Sequence, residues 1–140
     1  MNLRRDHESV QGVENHPYLH QEISWSVIAS AIEVHRALGP GLLESAYLAC
    51  LCRELAVRQL NFRTEVALPI EYKGVRLDCG YRMDLVAEDR VAVELKSVDR
   101  ILPIHQAQLL TYLHLSKMRV GLLINFNVRV LRDGIIRRIV

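Results

Sequence analysis

Residues 81–98, YRMDLVAEDRVAVELKSV, hold two runs in which apolar and polar residues alternate, divided by the charged triplet Glu88-Asp89-Arg90. Alternation with period two marks a strand with one face on a core. The segment therefore predicts an antiparallel hairpin, one strand ending at Ala87 and the next running from Val91 to Val98. Val91, Val93 and Leu95 fall on one face, and Ala92, Glu94 and Lys96 on the other. With a three-residue loop Asp84 stands across from Glu94, because paired residues project to the same side; a two-residue turn would send them to opposite faces. Two carboxylates so placed repel unless a cation lies between them, which points to a divalent ion on oxygen ligands: Mg2+, with Mn2+ as a substitute. Lys96 would then stabilise a developing oxyanion or orient an activated water. The plainer reading of VAVELK is a half-exposed strand with its polar residues in water.

The chain has 140 residues, half hydrophobic and 24% charged, which gives one core and no room for a second. At this size roughly 70% of the unfolded surface can be buried, so disulfides are unnecessary. Apolar residues at helical spacing predict helices over Ile23–Leu38, closed by Gly39-Pro40-Gly41, and from Leu42 to about Gln59. Strands are expected over Phe62–Tyr72, Val75–Ala87 and Val91–Val98, then a helix from Pro103 to about Ser116. Val120–Phe126, Val128–Leu131 and Ile135–Val140 read as further strands, with Asp133-Gly134 as a hairpin turn. The order ααβββαβββ implies an α/β or α+β fold, a mixed β-sheet flanked by helices. Residues 1–21 have no sustained period and are expected to form a flexible N-terminal arm; 22–140 form the single domain.

No apolar run approaches the roughly 18 residues of a membrane-spanning helix, so no membrane association is expected. Cys50 and Cys52 point to different sides of a helix, Cys79 stands alone, and no signal peptide is evident, which fits a cytoplasmic protein. The net charge is only +2, yet fifteen of the eighteen basic residues are Arg, the side chain suited to bidentate phosphate contact. Arg129, Arg132, Arg137 and Arg138 read either as a phosphate-binding patch or as a solvated face. The P-loop lysine motif, the GxSxG elbow and HExxH are absent, against NTPase, α/β-hydrolase and zinc-protease chemistry.

Two further groups carry candidate chemistry. In GLLESAY, Glu44 aligns with Leu48, Leu51 and Leu55 on an expected buried stripe. Either Gly41 caps the helix and Glu44, as its third residue, meets free backbone N–H groups, or Glu44 stands at the mouth of the site as a direct or water-mediated metal ligand. Tyr47 would be its hydrogen-bonding or packing partner and a substrate contact. In HQAQLLTYL, His105, Gln108 and Tyr112 share one helix edge. Gln108 would orient a water or a phosphate oxygen, with His105 and Tyr112 contacting substrate; the alternative is solvated surface, and for His105 a local hydrogen bond.

At these residues the chain resembles the GxxExxY protein family of the PD-(D/E)XK nuclease superfamily, over about Ile23–Val140. Gly41-Leu42-Leu43-Glu44-Ser45-Ala46-Tyr47 matches the namesake motif. Asp84 with Glu94-Leu95-Lys96 is similar to the split acidic and ExK signature, and Gln108-Leu109-Leu110-Thr111-Tyr112 to the downstream Q-helix motif. Met83 stands where the superfamily has its proline. The resemblance implies a restriction-endonuclease-like core in which Asp84, Glu94 and the Leu95 carbonyl bind metal, Lys96 assists hydrolysis and Glu44 is the helix-borne acid.

The leading expectation is a metal-dependent nuclease hydrolysing phosphodiesters of nucleic acid, DNA before RNA. The alternative is a non-catalytic nucleic-acid-binding or protein-assembly module that keeps the fold. The near-neutral charge and the lack of a long basic or aromatic track leave a place for a homodimer or protein partner to supply surface.

Overall fold

The computed structural model describes residues 17–140. Helices α1 (Gln21–Leu38) and α2 (Glu44–Val57) come first, then strands β1 (Phe62–Ala67), β2 (Ile70–Tyr72), β3 (Val75–Leu77), β4 (Arg82–Ala87) and β5 (Val91–Lys96). Helix α3 (Pro103–Ser116) leads to β6 (Val120–Asn125), a 3-10 turn at Leu131–Gly134 and β7 (Ile135–Ile139). The main sheet has the order β1-β4-β5-β6-β7 and is antiparallel except for the parallel pair β5 and β6, which α3 connects. Strands β2 and β3 form a separate two-stranded ribbon. This is the mixed α+β architecture expected of a restriction-endonuclease-like core.

The alternation in β5 and β6 sorts the two sides of the sheet. Val91, Val93, Leu95, Val120, Leu122 and Ile124 bury against α1 and α2 through Val27, Ala31, Val34, Tyr47, Leu51 and Leu55. Ala92 and Leu123 face the opposite side, under Leu109, Tyr112 and Leu113 of α3. Apolar burial on both sides, at roughly 25 cal/mol per Å2, is what holds the helices to the sheet. The buried Ser24 and Ser30 of α1 are satisfied locally, donating to the carbonyls of His20 at 3.1 Å and Ser26 at 2.7 Å.

The elements depart from expectation in four places. The first two strands are each broken, at 68–69 and 78–81, so that β2 and β3 fold away as the ribbon. Residues 128–131 form no strand: the Val128 carbonyl accepts a hydrogen bond from His35 Nε2 at 2.7 Å, and Leu131 opens the 3-10 turn. Asp133-Gly134 lies inside that turn and not in a hairpin. Gly134 is needed for close approach, since a Cβ there would lie 2.3 Å from the Asn125 carbonyl oxygen. Finally, α2 begins at Glu44, so Glu44 is its first residue and not its third, and it is exposed where a buried stripe was expected.

Of the arm expected over residues 1–21, residues 1–16 lie outside the described residues. Residues 17–20 form a turn; Leu19 packs against the core, and Arg137 donates to the carbonyls of Pro17, at 2.9 Å, and Leu19. Among the described residues no helix is long and apolar enough to cross a membrane.

Candidate active site

The loop Glu88-Asp89-Arg90 spans three residues, with Ala87 paired to Val91, Val86 to Ala92 and Leu85 to Val93. Glu88 and Asp89 take left-handed backbone angles, φ 52° and 54°, and the Arg90 N–H closes the turn on the Ala87 carbonyl at 2.9 Å. Carried one step further, this register sets Asp84 opposite Glu94. There the side chains take over from the ladder. The Asp84 N–H donates to Glu94 Oε2 at 2.9 Å, and the Leu95 N–H donates to Asp84 Oδ2 at 2.8 Å. Each carboxylate is thus fixed by one oxygen, while Asp84 Oδ1 and Glu94 Oε1 have no protein donor among the described residues.

Glu94 is nearly buried, 6% exposed, and Asp84 is half-buried. Burial, then the neighbouring Asp84 charge, pushes the Glu94 carboxyl up to about 8. Burial also raises Asp84, against the Leu95 N–H that stabilises its charged form; Glu44 and Glu65 raise it further. The half-buried Lys96 is the cation that opposes the rise at both carboxylates.

Glu44 reaches the same place from α2. Gly41, at φ 100°, turns the chain out of the Gly39-Pro40-Gly41 connection in a conformation that L side chains rarely adopt. Ser97, just past β5, ties this segment down: its hydroxyl donates to the Leu42 carbonyl at 2.6 Å, and its N–H donates to Glu44 Oε2 at 3.3 Å. Tyr47 lies beneath, fully buried and stacked on Phe126 with ring centroids 4.4 Å apart. Its hydroxyl donates to the Gly39 carbonyl at 2.5 Å and accepts from the Leu42 N–H at 3.2 Å. With no exposed surface Tyr47 is a support for the glycine turn, so the substrate contact expected of it does not fit its position.

A cleft of about 750 Å3 opens between Asp84 and Glu44, lined by these two with Glu65, Leu95 and Ser97 among others, while Glu94 and Lys96 lie outside its lining. Glu65 escapes the sequence reading. Thr64 pairs with Leu85 and Val66 with Met83, which brings Glu65 opposite Asp84, and Glu65 holds φ 50° inside an edge strand. Its charge bears on both Asp84 and Glu94.

Behind Lys96, Asn125 pins the end of β5. It is 1% exposed and pairs with Lys96 across the parallel ladder. Its Oδ1 accepts from the N–H groups of Val98, at 3.1 Å, and Asn127, at 3.2 Å, and its Nδ2 donates to the Val98 carbonyl at 2.9 Å.

The Q-helix residues stand apart from this cleft. Gln108 Nε2 donates to the Tyr112 hydroxyl at 3.0 Å, and both line a second, smaller pocket with His105. His105 Nδ1 accepts from the Leu102 N–H at 3.0 Å, capping α3. The four arginines form no single patch. Arg137 is spent on the chain at 17–24 and Arg138 on Gln106, whereas Arg129 and Arg132 are exposed near Arg36.

Asp84, Glu94 and the backbone at Leu95 offer the hard oxygen donors that a divalent cation of the magnesium class takes, with room left for water. In this arrangement no three His, Cys, Asp or Glu side chains among the described residues converge as a ready-made cage.

A family model described as PD-(D/E)XK nuclease superfamily matches residues 21–139. Comparison with curated proteins and with solved structures gives no match. The matched span runs from the start of α1 to the end of β7 and contains the facing carboxylates, Lys96 and the Q-helix. The chain belongs to the PD-(D/E)XK nuclease superfamily.

Proposed function

We propose that the protein hydrolyses phosphodiester bonds of nucleic acid, DNA before RNA, with Mg2+ or Mn2+ held by Asp84, Glu94 and the Leu95 carbonyl and with Glu44 at its outer side. The observation that carries this reading is the interlocked pair: Asp84 and Glu94 each accept a backbone N–H from the other's strand, with Lys96 beside them. A bound divalent cation supplies charge neutralisation at the scissile phosphate and a more acidic water.

The chain's own residues do the rest. Asp84 and Glu94 fix the donor oxygens through backbone hydrogen bonds, so little reorganisation is needed when charge develops. The Lys96 ammonium faces the negative charge that builds on the phosphate oxygens as the water oxygen bonds to phosphorus and the leaving oxygen departs. Glu44, whose carboxylate accepts from the Ser97 N–H, would take the proton of the attacking water. The Gly41–Tyr47 motif supports placing the chain within the GxxExxY group.

The test is cleavage of a labelled panel of single- and double-stranded DNA and RNA with Mg2+, Mn2+ or EDTA, using wild type, Asp84→Asn and Lys96→Ala. The proposal expects metal-dependent cleavage lost in both variants. Salt-sensitive binding with no cleavage by wild type under any metal would favour the non-catalytic module.

A further inference from the structure

Between the start of β4 and α3 lies a pocket of about 330 Å3, lined by Tyr81, Ile104, His105, Gln108, Thr111 and Tyr112 among others. Its occupant is not assigned by the metal chemistry, because the pocket shares no lining residue with the carboxylate cleft. Three observations define what it would take. Among the described residues no Arg, Lys, Asp or Glu lines it, which disfavours a phosphate or an acidic side chain as its occupant. Its walls are aromatic and aliphatic: Tyr81, 42% exposed, and Ile104, 67% exposed, flank the buried Tyr112, with the two tyrosine rings edge-on at 6.1 Å. Its polar groups are hydrogen-bonding ones: the Gln108 amide, whose Nε2 is given to the Tyr112 hydroxyl, the exposed Thr111, and the His105 imidazole, whose Nδ1 accepts from the Leu102 N–H.

A flat, uncharged ring with hydrogen-bonding edges matches such a lining, and the volume lies at the lower end of ligand pockets, roughly 300–1,000 Å3. The pocket is separate from that cleft but lies near the carboxylates. Tyr81 lies three residues before Asp84, and the Tyr112 hydroxyl is close enough to feel the charges of Glu94 and Asp84. Resting on the nuclease reading for the kind of chain presented, we propose that this pocket seats one unpaired nucleobase of the substrate beside the scissile phosphate, with Tyr81 as its stacking wall. The substrate class is therefore single-stranded nucleic acid. In a duplex the bases stay stacked and paired, and entry would demand that one be flipped out; in a single strand every base offers its face to an aromatic side chain.

Fluorescence anisotropy in Ca2+ tests this with a labelled 12-nucleotide single strand, the same strand carrying one abasic position moved along it, and the blunt duplex. The single strand is expected to bind at least about tenfold tighter than the duplex, and one abasic position to lose roughly tenfold. Tyr81→Ala should lose a similar factor and show no further loss on the abasic strand; Ile104→Ala, at an exposed helix position, should give the same pattern more weakly. If every abasic strand binds like the intact one, or the duplex binds as tightly, the proposal is overturned. It is overturned equally if both variants retain the abasic discrimination. Cleavage in Mg2+ reports separately on the nuclease reading. Base discrimination without cleavage upholds the pocket and sinks that reading, and cleavage without base discrimination does the reverse.

Discussion

Asp84 and Glu94 hold each other in place through the backbone. The Asp84 N–H is bound by Glu94 at 2.9 Å, and the Leu95 N–H by Asp84 at 2.8 Å, at the point where the β4–β5 ladder ends. Two acids face one another in a partly desolvated cleft, so without a cation the protein carries an electrostatic cost in return for a ready donor set.

That cost has a pH signature. Glu94 titrates near 8 in the folded chain against 4.5 as the ordinary value. Between those values the folded state binds more protons than the unfolded, so stability is fully present below about pH 4.5 and is lost as pH rises through about 8. Melting of the metal-free protein should therefore fall between pH 6 and pH 8.5, by an amount on the order of a few kcal/mol. Excess Mg2+ should recover most of it at the higher pH. A melting temperature that rises over this range without metal would contradict the assignment.

Glu94→Gln separates stability from function. The amide oxygen can still accept from the Asp84 N–H while the charge is gone. The metal-free variant should melt as high as wild type or higher at pH 8.5, with a flattened pH dependence, and cleavage should fall by at least about a hundredfold. Differential scanning calorimetry beside a cleavage assay reads both.

Asn125 supports the site from behind. Asn125→Leu leaves the Val98 N–H and C=O and the Asn127 N–H without their partner. The loss should be about 2–4 kcal/mol, near 10 °C in melting temperature. Metal affinity should weaken as well, because the 97–98 turn anchors Glu44 through Ser97.

Tyr47→Phe removes the hydroxyl that bridges Gly39 and Leu42. A loss of about 1 kcal/mol or somewhat more is expected. As a support and not a substrate contact, Tyr47 should alter kcat through Glu44 and leave KM nearly unchanged. A selective rise in KM would restore the substrate-contact role.

The hairpin and its facing acids were legible because everything that sets them is local: strand alternation on both sides and a three-residue loop between. Glu65 was not legible. Its place depends on how β1 pairs with β4, and extending the β2–β3 hairpin register, in which Tyr72 meets Val75, would have set Arg63 opposite Asp84. The connector at 78–81 is two residues longer than that at 68–69, which shifts the register and brings Glu65 there instead. Residues 128–131 misled because their apolar pattern suits a strand, while a helix side chain, His35, takes the backbone carbonyl that a neighbouring strand would have needed. Asn125 was hidden for the same reason, since the partners of a buried amide at a strand end leave no periodic trace.

The most direct measurement is calorimetric titration of Mg2+ and Mn2+ into wild type and Asp84→Asn at pH 6 and pH 8. In the variant the amide oxygen can still accept the Leu95 N–H, so the fold is kept. The account predicts binding by wild type that strengthens toward pH 8 as Glu94 loses its proton, and loss of that binding in Asp84→Asn. Equal binding by both proteins, or wild-type binding that weakens as the pH rises, would contradict it.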